Sequence, residues 1–279
     1  MRKYALLRER LRSDPRFQFE AAPFADASMV KLAHDPEYVD AFIAGSLAAP
    51  VMRRIGFPWS DGLVRRTLAS VGGTLAATRD ALDHGFGGTL AGGTHHAFRS
   101  EGAGFCVFND VAIAIAGLRS TGFGERVAVI DLDVHQGDGT AHFFEQDPAV
   151  LTLSIHGANN FPFRKQRSRI DIELPDKTGD EEYLAALAAA LPRVWEFDPA
   201  LVFYLSGVDA LASDVLGRLS LSPEGLQARD CRVMGELRSR KIPFVITLGG
   251  GYSNPIELTA AAHANTFRIA ADLCDEPRA

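Results

Sequence analysis

The sequence predicts an α/β fold: a single domain with a central parallel sheet flanked by helices on both faces. From about residue 86 onward, short runs rich in β-branched residues alternate with longer amphipathic segments. Several of these runs are apolar throughout, which is typical of strands covered on both faces. The 279 residues contain no Ser/Pro/Gly-rich linker, low-complexity tract or internal repeat. We therefore expect one domain over residues 1–279.

The elements follow in order from local signals. Residues 1–85 are expected to be helical, with a long helix from about Asp61 to His84 that Gly85 ends. The sheet and the active-site motifs then occupy residues 86–255. The candidate strands are Thr89–Ala91, Val127–Leu132, Val150–Ile155, Leu201–Ser206 and Phe244–Leu248.

Helices are predicted between the strands from their capping residues. They are Asp110–Leu118 after Asn109, Glu181–Trp195 after Asp180, and Pro223–Arg238 after Ser222, the last with proline at its first position. Repetition of strand, helix and strand implies a parallel sheet with helices on both of its faces.

Composition excludes several classes of protein. The net charge of −6 gives no overall positive field for nucleic-acid binding, and residues 164–169, the one basic cluster, are interpreted as a solvated loop. No apolar run approaches the ~20 residues of a membrane span, and the charged start does not resemble a signal peptide. Cys106, Cys231 and Cys274 are widely spaced and odd in number, so we expect reduced thiols and a cytoplasmic location.

Histidines, aspartates and a tyrosine follow the carboxyl ends of the predicted strands, where open parallel sheets place their ligand sites. In chain order they are His95, His96, Asp131, Asp133, His135, Asp138, His156, Asp209 and Tyr252. Alternate side chains of an extended strand share one side, so Asp131, Asp133 and His135 project together. Such aspartates often only cap helices, but five strand ends with the same character favour a functional site.

Asp133, His135 and Asp209 predict a catalytic metal centre, because zinc accepts one nitrogen and two carboxylates and keeps a position open. The two carboxylates left over, Asp131 and Asp138, can orient the His95–His96 pair for acid–base work. A His-His dipeptide taken alone is more often structural.

Residues 249–251 are three glycines before Tyr252, whose hydroxyl can donate to a developing oxyanion. Phosphate binding by these glycines is the rival interpretation, but no Walker lysine motif or GxGxxG follows a strand. Phe105 either lines an apolar channel or is an ordinary core aromatic. Cys106 beside the histidines is not needed as a nucleophile when a metal activates water.

These residues resemble the zinc-dependent histone deacetylase family, which has an arginase-like fold. The matching motifs are GTHHAF at 93–98, GFCVFND at 104–110, DLDVHQGDGT at 131–140, SIH at 154–156, SGVDAL at 206–211 and GGGYS at 249–253. NNFPF at 159–163 and TGDEEYL at 178–184 look more like the class IV branch and its bacterial relatives than like class I. AGGT at 91–94 and SGVD at 206–209 depart from the common pattern without touching a presumed ligand.

The resemblance implies a role for each matching residue. It implies Zn²⁺, with Fe²⁺ as the alternative, on Asp133, His135 and Asp209. It implies His96 as general base and acid with Asp138, His95 as an electrostatic partner held by Asp131, and Tyr252 on the carbonyl oxygen. A substrate channel is expected at Gly104, Phe105, His156 and Phe161, and a structural K⁺ at Asp131, Asp133, His135, Ser154 and Ile155.

The expected function is metal-dependent removal of acetyl or longer acyl groups from lysine side chains of proteins. The alternative is an acetylpolyamine or other small-amine deacylase of the same fold. A silent acyl-lysine-binding module is disfavoured, because no ligand and no tyrosine is missing. KYALLRERL at 3–11 resembles a motif that many members carry after an opening strand and loop. Either Met1 is an internal methionine of a longer product, or this member lacks an edge strand. In the second case an exposed neighbouring edge is expected to favour self-association or low solubility.

Overall fold

The carboxyl ends of parallel strands meet along one edge of a twisted sheet in the computed structural model, which describes residues 2–275 and side chains up to Leu273. The side chain of Cys274 lies outside the described part. Within residues 2–275 the sheet has six parallel strands in the order β1-β6-β5-β2-β3-β4. The strands are β1 Phe86–Gly88, β2 Val127–Asp131, β3 Val150–Gly157, β4 Ile170–Leu174, β5 Leu201–Leu205 and β6 Phe244–Thr247.

Helices cover both faces of this sheet. They are α1 Arg2–Leu11, α2 Ala27–Val30, α3 Pro36–Ala44, α4 Ala49–Ile55, α5 Asp61–His84, α6 Asp110–Ser120, α7 Asp138–Phe144, α8 Asp180–Glu196, α9 Pro223–Ser239 and α10 Ile256–Asp275. Alternate strand residues enter two separate cores: Ala128 and Ile130 pack with α1, α8, α9 and α10, whereas Val127 and Val129 pack with α3, α5 and α6. The predicted fold class is confirmed.

The capping residues were predicted correctly for three helix ends. Asn109 accepts from the amide of Ala112, Ser222 Oγ accepts from the amide of Gly225, and Gly85 ends α5 with a φ of 90°. Asp180 is not a cap, because α8 begins at Asp180 itself. Its carboxylate instead accepts from the amide and hydroxyl of Ser222, which ties the start of α8 to the start of α9.

Two strands differ from the prediction. The first strand is β1, which precedes the predicted Thr89–Ala91, because only residues 86–88 keep the β6 register before the chain turns at Gly92 and Gly93 with positive φ. Strand β4 was not predicted. Its IDIEL sequence alternates between buried and exposed positions, as an edge strand does, whereas the predicted strands were recognised by continuous apolar runs.

The basic segment at residues 164–169 is only partly the solvated loop that the sequence predicts. Arg164, Arg167 and Arg169 of the basic segment are exposed, but Lys165 Nζ donates to the carbonyls of Asn160 and Pro162 at 2.6 and 2.7 Å. The segment is therefore anchored rather than wholly solvated. None of the helices within residues 2–275 combines the length and the apolar character that a bilayer span requires.

Candidate active site

A cavity of about 1480 Å³ opens at the carboxyl edge of the sheet. The loops after β1, β2, β5 and β6 supply its polar floor, and α4, α5 and the N-terminal residues supply much of its wall. Its lining includes His95, His96, Asp133, His135, Asp209 and Tyr252. The sheet therefore brings six of the residues predicted from sequence to one cavity.

Asp133, His135 and Asp209 form the candidate metal centre. Their ligand atoms all lie within 4.8 Å of one another, and they are the one such group found within residues 2–275. His135 Nδ1 lies 3.0 Å from both Asp133 Oδ1 and Asp209 Oδ2. Two carboxylates and one imidazole are a donor set that suits a divalent zinc or iron ion.

Backbone amides hold the two carboxylates in place. Val134 N donates to Asp209 Oδ1 at 2.9 Å, and Gly250 N donates to Asp133 Oδ2 at 2.5 Å. A Cβ on Gly250 would lie 1.9 Å from Asp209 Oδ2, so only glycine allows the backbone to pass this close. The glycines at 249–251 thus give the backbone close access to the two carboxylates.

Burial and charge shift the protonation of this cluster. Burial raises the pKa of Asp209, and the neighbouring Asp133 carboxylate raises it further, to about 7. Burial opposes a charge on His135, but its bonds to Asp133 and Asp209 outweigh burial and raise its pKa to about 10. Both pKa shifts arise in part because two carboxylates are buried next to each other, and a divalent cation bound by them would offset their charge.

Two buried histidine–aspartate pairs stand beside this centre. His95 Nδ1 lies 2.7 Å from Asp131 Oδ2, and His96 Nδ1 lies 2.7 Å from Asp138 Oδ1. Burial opposes the charged form of both rings, but Asp131 and Asp133 raise the pKa of His95 to about 9. Burial together with the charge of His95 lowers the pKa of His96 to about 4. One imidazole is thus cationic at neutral pH and the other is free to accept a proton.

Asp110 holds the loop that carries both histidines. This carboxylate at the start of α6 is fully buried. It accepts from the amides of Gly93 and Thr94 at 3.0 and 2.8 Å and from Thr74 Oγ1 at 2.6 Å. Sequence reasoning missed this role, although an acidic residue followed by an apolar helix was a signal for it.

Two charged residues hold the Tyr252 loop and were also missed. Tyr252 N donates to Asp214 Oδ2 at 2.6 Å. Lys3 Nζ lies 4.8 Å from the Tyr252 ring centroid and donates to the carbonyls of Gly249 and Gly251 at 3.2 and 3.4 Å. Burial lowers the pKa of Lys3 and raises that of Tyr252.

Aromatic rings line the mouth of the cavity. Phe161 packs edge-on against His96 with 4.9 Å between ring centroids, and the half-exposed Phe105 lies 6.2 Å from Tyr252. Gly104 has a φ of +54°, and a Cβ there would lie 2.6 Å from the His96 ring. These three residues therefore stand where a channel wall was expected. Cys106 is buried beside them, and burial raises the pKa of its thiol, which disfavours a thiolate nucleophile.

The structure does not bring His156 to this channel. The ring is completely buried within β3, and its Nδ1 lies 2.9 Å from Ser154 Oγ. Ser154 is paired in register with Asp131, the last residue of β2, so two residues of the expected potassium site lie on neighbouring strands side by side. His156 lies two residues further along β3 and does not line the cavity.

Comparisons with known proteins agree with this geometry. A family model described as histone deacetylase domain matches residues 2–268. The chain is 42% identical over 277 residues to an uncharacterized protein from Picosynechococcus sp., covering 98% of this chain and 92% of that protein. It is 38% identical over 188 residues to histone deacetylase 2 of Arabidopsis thaliana, covering 65% of this chain and 48% of that protein. It is 31% identical over 210 residues to human histone deacetylase 1, covering 70% of this chain and 42% of that protein. The chain spans about half the length of these named deacetylases. Among solved structures, the HD domain of HDA15 has a TM-score of 0.80 at 23% identity and covers 99% of this chain and 84% of that one.

Proposed function

Because the chain belongs to the histone deacetylase family, we propose that it is a metal-dependent lysine deacylase. It would hydrolyse the amide bond between an acyl group and a lysine side chain. The observation that carries the proposal is the placement of two buried His–Asp pairs beside the Asp133, His135 and Asp209 cluster in one cavity.

Asp133, His135 and Asp209 would hold a Zn²⁺ ion, with Fe²⁺ as the alternative. Bound there, the ion would polarise a water molecule and the substrate carbonyl as a Lewis acid. The remaining chemistry belongs to the chain's own side chains. Asp131, Ser154 and the neighbouring backbone would in addition hold a structural K⁺.

His96 is the proposed proton carrier. Its Nδ1 is held by Asp138, so Nε2 is the nitrogen available to take a proton from the attacking water. The same nitrogen then returns that proton to the leaving lysine amine. His95, held by Asp131, carries the positive charge that offsets the developing oxyanion.

Tyr252 is the proposed hydrogen-bond donor to the carbonyl oxygen. Asp214 and Lys3 hold its loop from two sides, so the hydroxyl can be fixed before substrate arrives. Such fixed donors stabilise charge that appears only in the transition state. Tyr252 would therefore act on turnover more than on substrate binding.

Charge at the cavity wall favours acyl-lysine in a peptide over an acylated polyamine. Arg53, Arg54 and Arg66 line the cavity; Arg54 is paired with Glu101, and Arg66 lies over the Phe57 ring at 4.8 Å. A polyamine is a polycation and would be repelled here. The cavity also exceeds the ~300–1,000 Å³ of most ligand pockets, which leaves room for acyl groups longer than acetyl.

We propose further that residues 1–279 act as one catalytic domain in the cytoplasm. Membership of the class IV branch and self-association through a sheet edge stay predictions.

The test is a panel of lysine peptides carrying acetyl, butyryl, octanoyl and myristoyl groups, with release of free lysine peptide measured by mass spectrometry. Zinc-loaded and iron-loaded protein should deacylate at least one peptide, and chelator-treated protein should deacylate none. N-acetylspermidine forms a separate arm. Absence of turnover on every acyl-lysine peptide with both metals contradicts the proposal, and turnover on N-acetylspermidine alone replaces it with the small-amine alternative.

A further inference from the structure

Arg229 is a completely buried arginine in α9, underneath the ends of β2 and β5. It lines no part of the cavity described above, so it touches neither substrate nor water there. Burying a guanidinium is costly unless its hydrogen bonds are satisfied. The groups that bond to this guanidinium are therefore informative.

Two of those groups are backbone carbonyls next to the candidate metal ligands. Arg229 Nη1 donates to the carbonyl of Gly207 at 2.6 Å and to that of Leu132 at 3.2 Å. Leu132 immediately precedes Asp133, and Gly207 lies two residues before Asp209. One side chain thus joins the two strand ends that supply both carboxylates.

The Leu132–Asp133 peptide is held at both of its polar atoms. Its carbonyl accepts from Arg229, and its amide, Asp133 N, donates to Asp131 Oδ1 at 3.1 Å. The bond from the Arg229 cation to the carbonyl oxygen polarises the peptide, and this strengthens the hydrogen bond that Asp133 N donates. The orientation of this peptide in turn sets the direction in which the Asp133 side chain leaves the backbone.

Asp230 neutralises the arginine. Arg229 Nε donates to Asp230 Oδ1 at 2.8 Å, and Asp230 also accepts from the Tyr204 hydroxyl and from Thr266 Oγ1. An unpaired cation this close to the centre would repel a divalent ion, and the paired one does not. The cluster therefore provides hydrogen bonds without a net charge.

We infer that Arg229 is a positioning residue for the metal centre, fixing the relative placement of Asp133 and Asp209 through the carbonyls of Leu132 and Gly207. The inference rests on the proposed metal-dependent function. Groups that orient metal ligands typically contribute ~10–100-fold to metal affinity. Loss of Arg229 should weaken metal binding by that order.

The experiment measures zinc affinity by competition with a chromophoric chelator, together with the Tm of the metal-free protein. Arg229→Met is combined with Asp230→Asn so that no buried charge is left unpaired. Arg229→Lys keeps the cation but cannot reach both carbonyls and Asp230 in the same way. Tyr204→Phe is the matched control, since it removes a contact to Asp230 and leaves the carbonyls of Leu132 and Gly207 bonded.

The double variant is expected to bind zinc ~10–100-fold more weakly than wild type. The zinc affinity of Arg229→Lys should fall between those of the double variant and wild type. The zinc affinity of Tyr204→Phe should stay near that of wild type, even where its Tm falls. Wild-type zinc affinity in the folded double variant overturns the inference. Where that variant does not fold, wild-type affinity in Arg229→Lys overturns it. Absence of zinc or Fe²⁺ binding by the wild-type protein would instead contradict the proposed function itself.

Discussion

His34 should make the stability of this protein depend on pH. The ring is buried, with Nδ1 3.2 Å from the carbonyl of Arg99, and Nε2 accepts from the amide of Asn109 at 2.8 Å. Because Nε2 must stay unprotonated to accept that bond, the folded state requires the neutral ring. Phe108 and Phe143 pack against it, and Arg99 is the charged side chain that acts on it.

The pKa of His34 sets the direction and the magnitude of this pH dependence. Burial lowers the pKa of His34 from its ordinary 6.5 to about 4. Between these values the unfolded chain binds the proton and the folded chain does not, so acid favours unfolding. The contribution of His34 is complete above pH 6.5 and is lost as the pH falls toward 4. At 1.36 kcal/mol per pH unit the loss amounts to about 3 kcal/mol.

The assay is urea unfolding followed by circular dichroism at several pH values between 4 and 7.5. Wild type and His34→Gln, whose amide oxygen can accept from Asn109, are compared with the exposed control His142→Gln. The free energy of unfolding of wild type should fall more steeply with acid than that of His34→Gln, by about 3 kcal/mol over the range. Parallel pH profiles for wild type and His34→Gln would refute the reasoning, whereas His142→Gln should follow wild type.

The remaining predictions concern the candidate active site. Asp209→Ala should lose metal and deacylase activity together, and unchanged metal content by elemental analysis would reject Asp209 as a ligand. Tyr252→Phe removes one hydroxyl and keeps the ring, so kcat and kcat/KM should both fall ~10²–10³-fold while metal content and Tm stay unchanged. Wild-type turnover in that folded variant would return Tyr252 to the role of a wall aromatic. Deacylation should respond to potassium at fixed ionic strength, because Asp131 and Ser154 meet at the expected cation site, and indifference to potassium in a titration would contradict it.

The sequence predicted the site best where the fold follows a simple geometric rule. Parallel strands bring their carboxyl ends to one edge, so residues just after continuous apolar runs were placed together correctly even though Asp133 and Asp209 are 76 residues apart. The same rule placed His156 wrongly in a strand-end loop. Strand β3 continues through Gly157, because His156 pairs in register with Glu173 of the unpredicted strand β4.

The two buried cations that support the site, Lys3 and Arg229, have no local sequence pattern that predicts their role. Lys3 contacts a loop 246 residues away, and Arg229 contacts the strand ends from within a helix. In sequence each is one of several basic residues on an amphipathic helix, where a solvent-facing position is the ordinary expectation. Only the packing of α1 and α9 against the strand ends shows that both cations point inward.

Their inward position has a physical reason. The backbone next to Asp133, Asp209 and Tyr252 carries carbonyls at partly or fully buried positions, where an unpaired acceptor is costly. Lys3 accounts for two of these carbonyls and Arg229 for two others, through charge-assisted bonds that are stronger than neutral ones. The residues that would perform the chemistry and the residues that fix the backbone beneath them therefore form one connected arrangement. For this reason a conservative change at either cation should alter the geometry of the site before it alters the fold.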